Sequence, residues 1–167
     1  MIICDPAKTV KMQSADSAIV CWGFNPKEGK IHFRDCVSNK FFPDRLYTET
    51  FEMADRYNAR VIGVETTGLE EFIKQPITNE AKMRGCKAEL VWLTARGGTN
   101  DEKGKALRIK GLIPYYRNGQ ITHNPAISGK LEQQLLSFPK SKLWDVMDAA
   151  AYVIELLEIG GRYFDAP

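Results

Sequence analysis

The chain has 167 residues, of which 44% are hydrophobic and 26% charged, with a formal net charge of +2. That length fits one domain with a substantial core, and the composition is that of an ordinary soluble globular protein rather than a disordered or fibrous one. The near-neutral balance says little about partners, which leaves local charge to be read, and no apolar run approaches the roughly 20 residues of a transmembrane helix.

The four cysteines, Cys4, Cys21, Cys36 and Cys86, include no CxxC pair. A zinc site is therefore not expected. Cys4 and Cys21 lie in apolar runs and read as reduced, buried small hydrophobes of a cytosolic setting. His32 and His123 stand alone in the sequence and read as surface residues rather than ligands. Met1 leads straight into "IICDPA" with no secretory signal, and this start in mid-strand implies a piece of a longer chain.

In chain order, residues 1–5 and 18–24 ("AIVCWGF") predict two strands joined by "PAKTVKMQSADS". A third strand is expected at 31–38 after the turn "NPKEGK". Three strands with short connections imply an antiparallel meander. Pro43 suits the first turn of a helix, and Leu46, Tyr47, Phe51, Ala54 and Tyr57 recur at helical spacing to about residue 58. "RVIGVE" (60–65) reads as a buried strand. Thr67 with Glu70 forms a possible capping box opening a second helix. Pro76 should kink or interrupt that helix, and Gly85 should end it. "ELVWLT" (89–94) predicts a fifth strand. The alternation of strands and helices implies parallel pairing. "ARGGTND" is a glycine-containing loop, and Thr99 with Glu102 is a second possible capping box, followed by a short helix to about Lys110. "GLIPYYRNGQITHNP" reads as an irregular hairpin-like stretch. Helices at about 126–137 and 145–158 complete the chain. The expected fold class is α/β, a central mixed sheet of five or more strands with helices on both faces, in one domain spanning 1–167.

Four acids stand out. Asp5 closes the first strand and Glu65 the fourth, and functional groups gather at the carboxyl ends of parallel strands. Asp145 and Asp148 open the last helix among Val146, Met147 and three alanines. Each has an ordinary explanation: a turn aspartate before Pro6, an acid near a helix N-terminus, an N-cap with a first-turn acid. Together, in apolar surroundings, they would repel one another unless a cation lay between them. Hard divalent cations with oxygen ligands suit such a cluster. Two such ions roughly 3.5–4 Å apart would activate water and stabilise the leaving oxygen in phosphodiester cleavage. Asp145 and Asp148, three positions apart, can share one helical face.

The segments "IICDPAKTVKMQSADSAIVCWGF", "VIGVETTG", "DEKGKALRIKGLIPYYRNGQITHNP" and "LLSFPKSKLWDVMDAAAY" resemble, in order and along nearly the whole chain, the C-terminal nuclease domain of a tailed-phage large terminase subunit. The most specific elements are the final aspartate–x–x–aspartate–alanine and the lysine–x–x–arginine helix followed by "NGQI". The resemblance implies an RNase H-like fold and an endonuclease that cuts concatemeric double-stranded viral DNA during packaging, using Mg²⁺ or Mn²⁺. It implies metal ligands, and hence catalytic residues, at Asp5, Glu65 and Asp148. Asp145 is the neighbouring acid, and Asp16, which recurs in the family's first hairpin, is a second-tier ligand. Trp144 stands where many relatives carry the first of two adjacent acids, and Glu65 where many carry Asp. The implied partners are DNA and, in the longer protein, an N-terminal ATPase domain, the portal and the small terminase subunit. The implied place of action is the host cytoplasm at the procapsid, with no membrane.

From Arg96 to Arg117 there are six Lys or Arg against two acids. Such a run is usually a solvated face. The resemblance favours phosphate contact instead, with Lys105 and Arg108 on one helical face as the DNA-binding pair. Tyr115, Tyr116 and Trp144 read as packing residues. "GGTNDEKGKA" is not a nucleotide-binding loop: one residue too many separates Gly98 from Gly104, and Ala106 stands where Ser or Thr should hold Mg²⁺. The alternatives carried forward are a Holliday-junction resolvase or ribonuclease H-type nuclease, and a non-catalytic RNase H-like binding module.

Overall fold

A computed structural model describes residues 1–7, 16–68, 70–95 and 102–159. The expected first three strands form as β1 (Ile2–Asp5), β2 (Ser17–Asn25) and β3 (Lys30–Asn39), paired antiparallel in succession. Helix α1 (Pro43–Arg56) begins on Pro43, whose missing N–H is not needed in a first turn. Strand β4 (Val61–Glu65) then returns parallel to β1, helix α2 (Glu70–Met83) follows, and β5 (Glu89–Leu93) pairs parallel to β4. The α/β expectation thus holds, with helices against both faces of the sheet.

Three local expectations are corrected. Helix α2 continues through Pro76 instead of breaking there. The carbonyl that Pro76 deprives of a helical donor belongs to Phe72, a residue 76% exposed to solvent. The stretch read as a hairpin is a helix and a strand. After helix α3 (Glu102–Lys110), α4 (Ile113–Arg117) takes Pro114 in its first turn, Gly119 turns the chain at φ +64°, and β6 (Ile121–His123) pairs parallel to the far edge of β3. The expected last helix is two: after α5 (Gly129–Ser137), the chain runs as α6 (Asp145–Ala151) and α7 (Val153–Ile159), parted at the fully buried Tyr152. Thr99 of the second capping box, the "ARGGTND" loop beyond Ala95, and most of the turn after Pro6 lie outside the described residues, as does the Glu70 side chain.

The six strands stand in the order β5-β4-β1-β2-β3-β6. Two cores flank them. On one face α1 and α2 cover Ile2, Cys4, Ile19, Cys21, Ile62 and Val64. On the other, Val146, Met147 and the alanines of α6 pack with Ile3, Val20, Trp22, Phe33 and Val61. The alternation of side chains along a strand explains this split: even-numbered positions of β1 and β4 face one core and odd-numbered ones the other. Tyr115, Tyr116 and Trp144 pack against the second core, as expected. Cys4 and Cys21 are buried and unpaired. His123 is not an isolated surface residue: its ring nitrogens meet Tyr116 Oη at 2.7 Å and Glu132 Oε1 at 2.8 Å, tying α4 to α5. Among the described residues no helix is long and apolar enough to cross a membrane.

Gly63, in the middle of β4, allows α7 and β5 to close on the sheet. A Cβ there would lie 2.7 Å from Leu93 Cδ1 and 3.4 Å from Leu156 Cδ2. Because both leucines are fully buried, Gly63→Val should overpack this layer and cost about 1–3 kcal/mol. Urea unfolding of the variant against the parent chain measures this.

Candidate functional site

Strands β1 and β4 are adjacent and parallel, in a register that pairs Cys4 with Val64. Asp5 and Glu65 are the next residues of the two strands and close them at the same sheet edge. Ile3 and Val61 point into the core under α6. Alternation therefore turns Asp5 and Glu65 toward that same face. Helix α6 crosses above β2 and β1 and brings Asp148, which is fully buried, over this pair. Three of the acids expected at a site thus share one face.

Glu65 is 1% exposed and accepts the Thr67 N–H at 3.0 Å. Burial raises its pKa, against the pull of that hydrogen bond. Burial also lifts the half-buried Asp5 well above the usual carboxylate range, and the negative charges of Asp148 and Glu65 add to this. Asp148 is instead held by cations. Arg108 donates to its Oδ1 through Nε at 2.9 Å and Nη2 at 2.6 Å, and the Lys105 ammonium lies 3.0 Å from Oδ2. Burial opposes the charge on Lys105 and Arg108, but Asp148 outweighs it, and both pKa values rise. The Arg108 guanidinium also lies over the ring of Tyr152, 4.0 Å from its centroid. Such a stack is favoured where solvent is excluded.

Asp145 is not the N-cap of α6: Trp144 occupies that position, and its own side chain makes no capping bond. Gln134, buried in α5, instead accepts the Met147 N–H at 2.9 Å. The Asp145 carboxylate takes the backbone N–H of Asp16, and its Oδ2 is buried with no hydrogen bond. Burial, then the neighbouring Asp16 charge, raise its pKa. Asp16 is itself ion-paired with Lys40 at 3.0 Å. The acids therefore fall into two groups: Asp5, Glu65 and Asp148 at the strand ends, and Asp145 with Asp16 beside them.

Lys105 and Arg108 share one face of α3, but that face turns inward, onto Asp148. With side chains 23% and 6% exposed, they are not members of a solvated face. Tyr152 and Gln134 escaped the sequence reading. Tyr152 lies one helical turn beyond Asp148, a spacing that signals a shared face. Gln134 carried no such signal. The Thr67 hydroxyl, expected to cap α2, accepts the Ala95 N–H at 2.7 Å and so ties the end of β4 to the end of β5.

The donor chemistry suits a hard divalent cation: three carboxylates on one face, with Asp148 Oδ2 buried and lacking a directed hydrogen bond. The arrangement seen is nevertheless the one neutralised from within. Among the described residues, no three His, Cys, Asp or Glu side chains are drawn together closely enough to hold a metal ion.

No family model and no curated protein matches this chain. Solved structures do. The Holliday junction resolvase of fowlpox virus superposes with a TM-score of 0.58 at 13% identity, over 95% of this chain and 99% of its own. The same resolvase in complex with substrate Holliday junction DNA gives 0.54 at 15%, over 94% and 99%. The large terminase nuclease domain of bacteriophage SPP1, solved with bound Mn, gives 0.57 at 13%, over 91% and 82%. The fold is therefore RNase H-like, and the resemblance read in the sequence has its counterpart in a terminase nuclease domain of like structure.

Because Asp5, Glu65 and Asp145 have raised pKa values when folded, the native chain holds protons there that the unfolded chain has lost. Without metal, their contribution to stability should fall as pH rises from about 4, the ordinary carboxylate pKa, through the raised values. Asp5→Asn should then be more stable than the parent at pH 7, with the gap closing toward pH 4. Thermal unfolding in chelator across that range checks it, and an Asn variant less stable at neutral pH would contradict it.

Proposed function

We propose that this chain is the metal-dependent DNA endonuclease domain of a viral genome-packaging terminase, hydrolysing phosphodiester bonds of concatemeric double-stranded DNA. The observation that carries the reading is the convergence of Asp5 and Glu65, from adjacent parallel strands, on the face beneath Asp148. It is supported by the ordered terminase-like segments of the sequence and by the structural likeness to the SPP1 nuclease domain with bound Mn.

In this reading Asp5, Glu65 and Asp148 hold Mg²⁺ or Mn²⁺, with Asp145 and Asp16 in reserve beside them. Such ions, two of them in this reading, would make water a better nucleophile near neutral pH and would stabilise charge on the leaving oxygen. The chain supplies the rest. The Thr67 N–H orients the Glu65 carboxylate. Lys105 and Arg108 bring two positive charges to the site, where the DNA backbone binds without its sequence being read. In the longer protein, the partners are an ATPase domain, the portal and the small terminase subunit, and the setting is the host cytoplasm at the procapsid.

A second reading, a Holliday-junction resolvase, is favoured by the near-complete coverage of the fowlpox enzyme, 99% against 82% for the terminase domain. Substrate choice separates the two. Supercoiled plasmid, linear duplex and a four-way junction should be incubated with Mn²⁺, each with a chelator control. The proposal expects cutting of plasmid and linear duplex with no preference for the junction. Junction-selective cutting would transfer the assignment to the resolvase. Asp148→Asn keeps the shape of the side chain but removes a charge and a strong oxygen donor, so cleavage by variant protein shown to be folded by circular dichroism should fall by a factor of about 100 or more. A variant that cuts at the parental rate would remove the metal site from this reading.

A further inference from the structure

The two cations on Asp148 are not equivalent. Oδ1 receives two N–H groups from Arg108, whose side chain is 6% exposed and backed by the Tyr152 ring. Among the described residues, Oδ2 faces the Lys105 ammonium alone, at 3.0 Å. Lys105 is 23% exposed, on a flexible four-carbon stem that can reach water. Of the two, Lys105 can leave without uncovering a buried charge of its own. Arg108 cannot.

Resting on the metal-site reading above, we propose that the Lys105 ammonium is a built-in placeholder for the divalent cation: it occupies the Oδ2 side of Asp148 when metal is absent and yields that side when metal binds, while Arg108 keeps Oδ1. The need for a placeholder follows from burial. A fully buried carboxylate with two acids on its face must be neutralised in the metal-free chain as well as in the loaded one. An ammonium and a divalent cation crowded against one buried oxygen repel each other strongly, so binding of the ion drives the lysine off that side. The released side chain, three residues from Arg108 on the same face of α3, then lies at the mouth of the site with its charge available to a DNA phosphate. Lys105 is thus a positioning residue with two successive partners, and Arg108 a fixed strut.

The exchange predicts an asymmetry that simple charge loss would not produce. Mn²⁺ binding to the chain, without DNA, should be titrated by electron paramagnetic resonance of the free ion. Lys105→Met removes the competitor and should bind Mn²⁺ at least about tenfold more tightly than the parent. Arg108→Met should not bind it more tightly, and Lys105→Arg, which keeps a cation there, should bind no more tightly than the parent. Thermal unfolding in chelator should show Lys105→Met destabilised, with a larger gain on adding Mn²⁺ than the parent shows. Should Lys105→Met fail to fold, Lys105→Gln carries the same expectations. If Lys105→Met binds Mn²⁺ no more tightly than the parent while Asp148→Asn loses binding, the placeholder role is overturned and the metal site stands. If Asp148→Asn binds Mn²⁺ as the parent does, the metal site and the placeholder role fall together.

Discussion

A carboxylate with no access to water sits at the start of α6, and the structure around it is shaped by the need to neutralise it. Removing one partner from a buried ion pair costs about 3–5 kcal/mol, because the remaining charge has nowhere to go. Asp148 therefore commits its neighbours. Arg108 must stay within reach of Oδ1, which fixes the register of α3 against α6, and Tyr152 must keep its ring under the guanidinium. The break between α6 and α7 falls at Tyr152 itself. Helix α3 is joined to α6 by the ion pairs of Lys105 and Arg108 with Asp148, and it adds Ile109 to the core.

The sheet supplies the other half of the arrangement. Parallel pairing of β1 and β4 places their carboxyl ends side by side, and strand alternation decides that Asp5 and Glu65 face α6 rather than α1. Thr67 reinforces the same edge from the loop, through its N–H to Glu65 and its hydroxyl to Ala95. Gly63 lets α7 lie close enough to hold α6 over the strand ends. Asp5 and Glu65 are thus placed by paired central strands and Asp148 by a buried helix, whereas Lys105 reaches them from α3 with its side chain 23% exposed.

Much of this was legible in the sequence for simple physical reasons. The long strands and α1 carry clear periodicities, and an acid that ends an apolar strand run, as Asp5 and Glu65 do, is conspicuous. What escaped detection depends on contacts distant in the chain. Strand β6 has three residues and owes its existence to pairing with β3, some ninety positions earlier. Pro76 looked like a breaker because propensity takes no account of a helix side open to water. The inward turn of Lys105 and Arg108 was hidden by the same distance effect, since their partner lies forty positions on and a basic helix reads as solvated unless that partner is known. Asp145 looked like a cap because the donor's true acceptor, Gln134, belongs to another helix.

The most direct measurement is anomalous diffraction from crystals of the chain grown with Mn²⁺. The account predicts a manganese peak bounded by the carboxylates of Asp5, Glu65 and Asp148, with the Lys105 ammonium moved away from Asp148 Oδ2 and Arg108 still on Oδ1. Crystals saturated with Mn²⁺ that show no peak at these acids, and Asp148 still held by both cations, would contradict it.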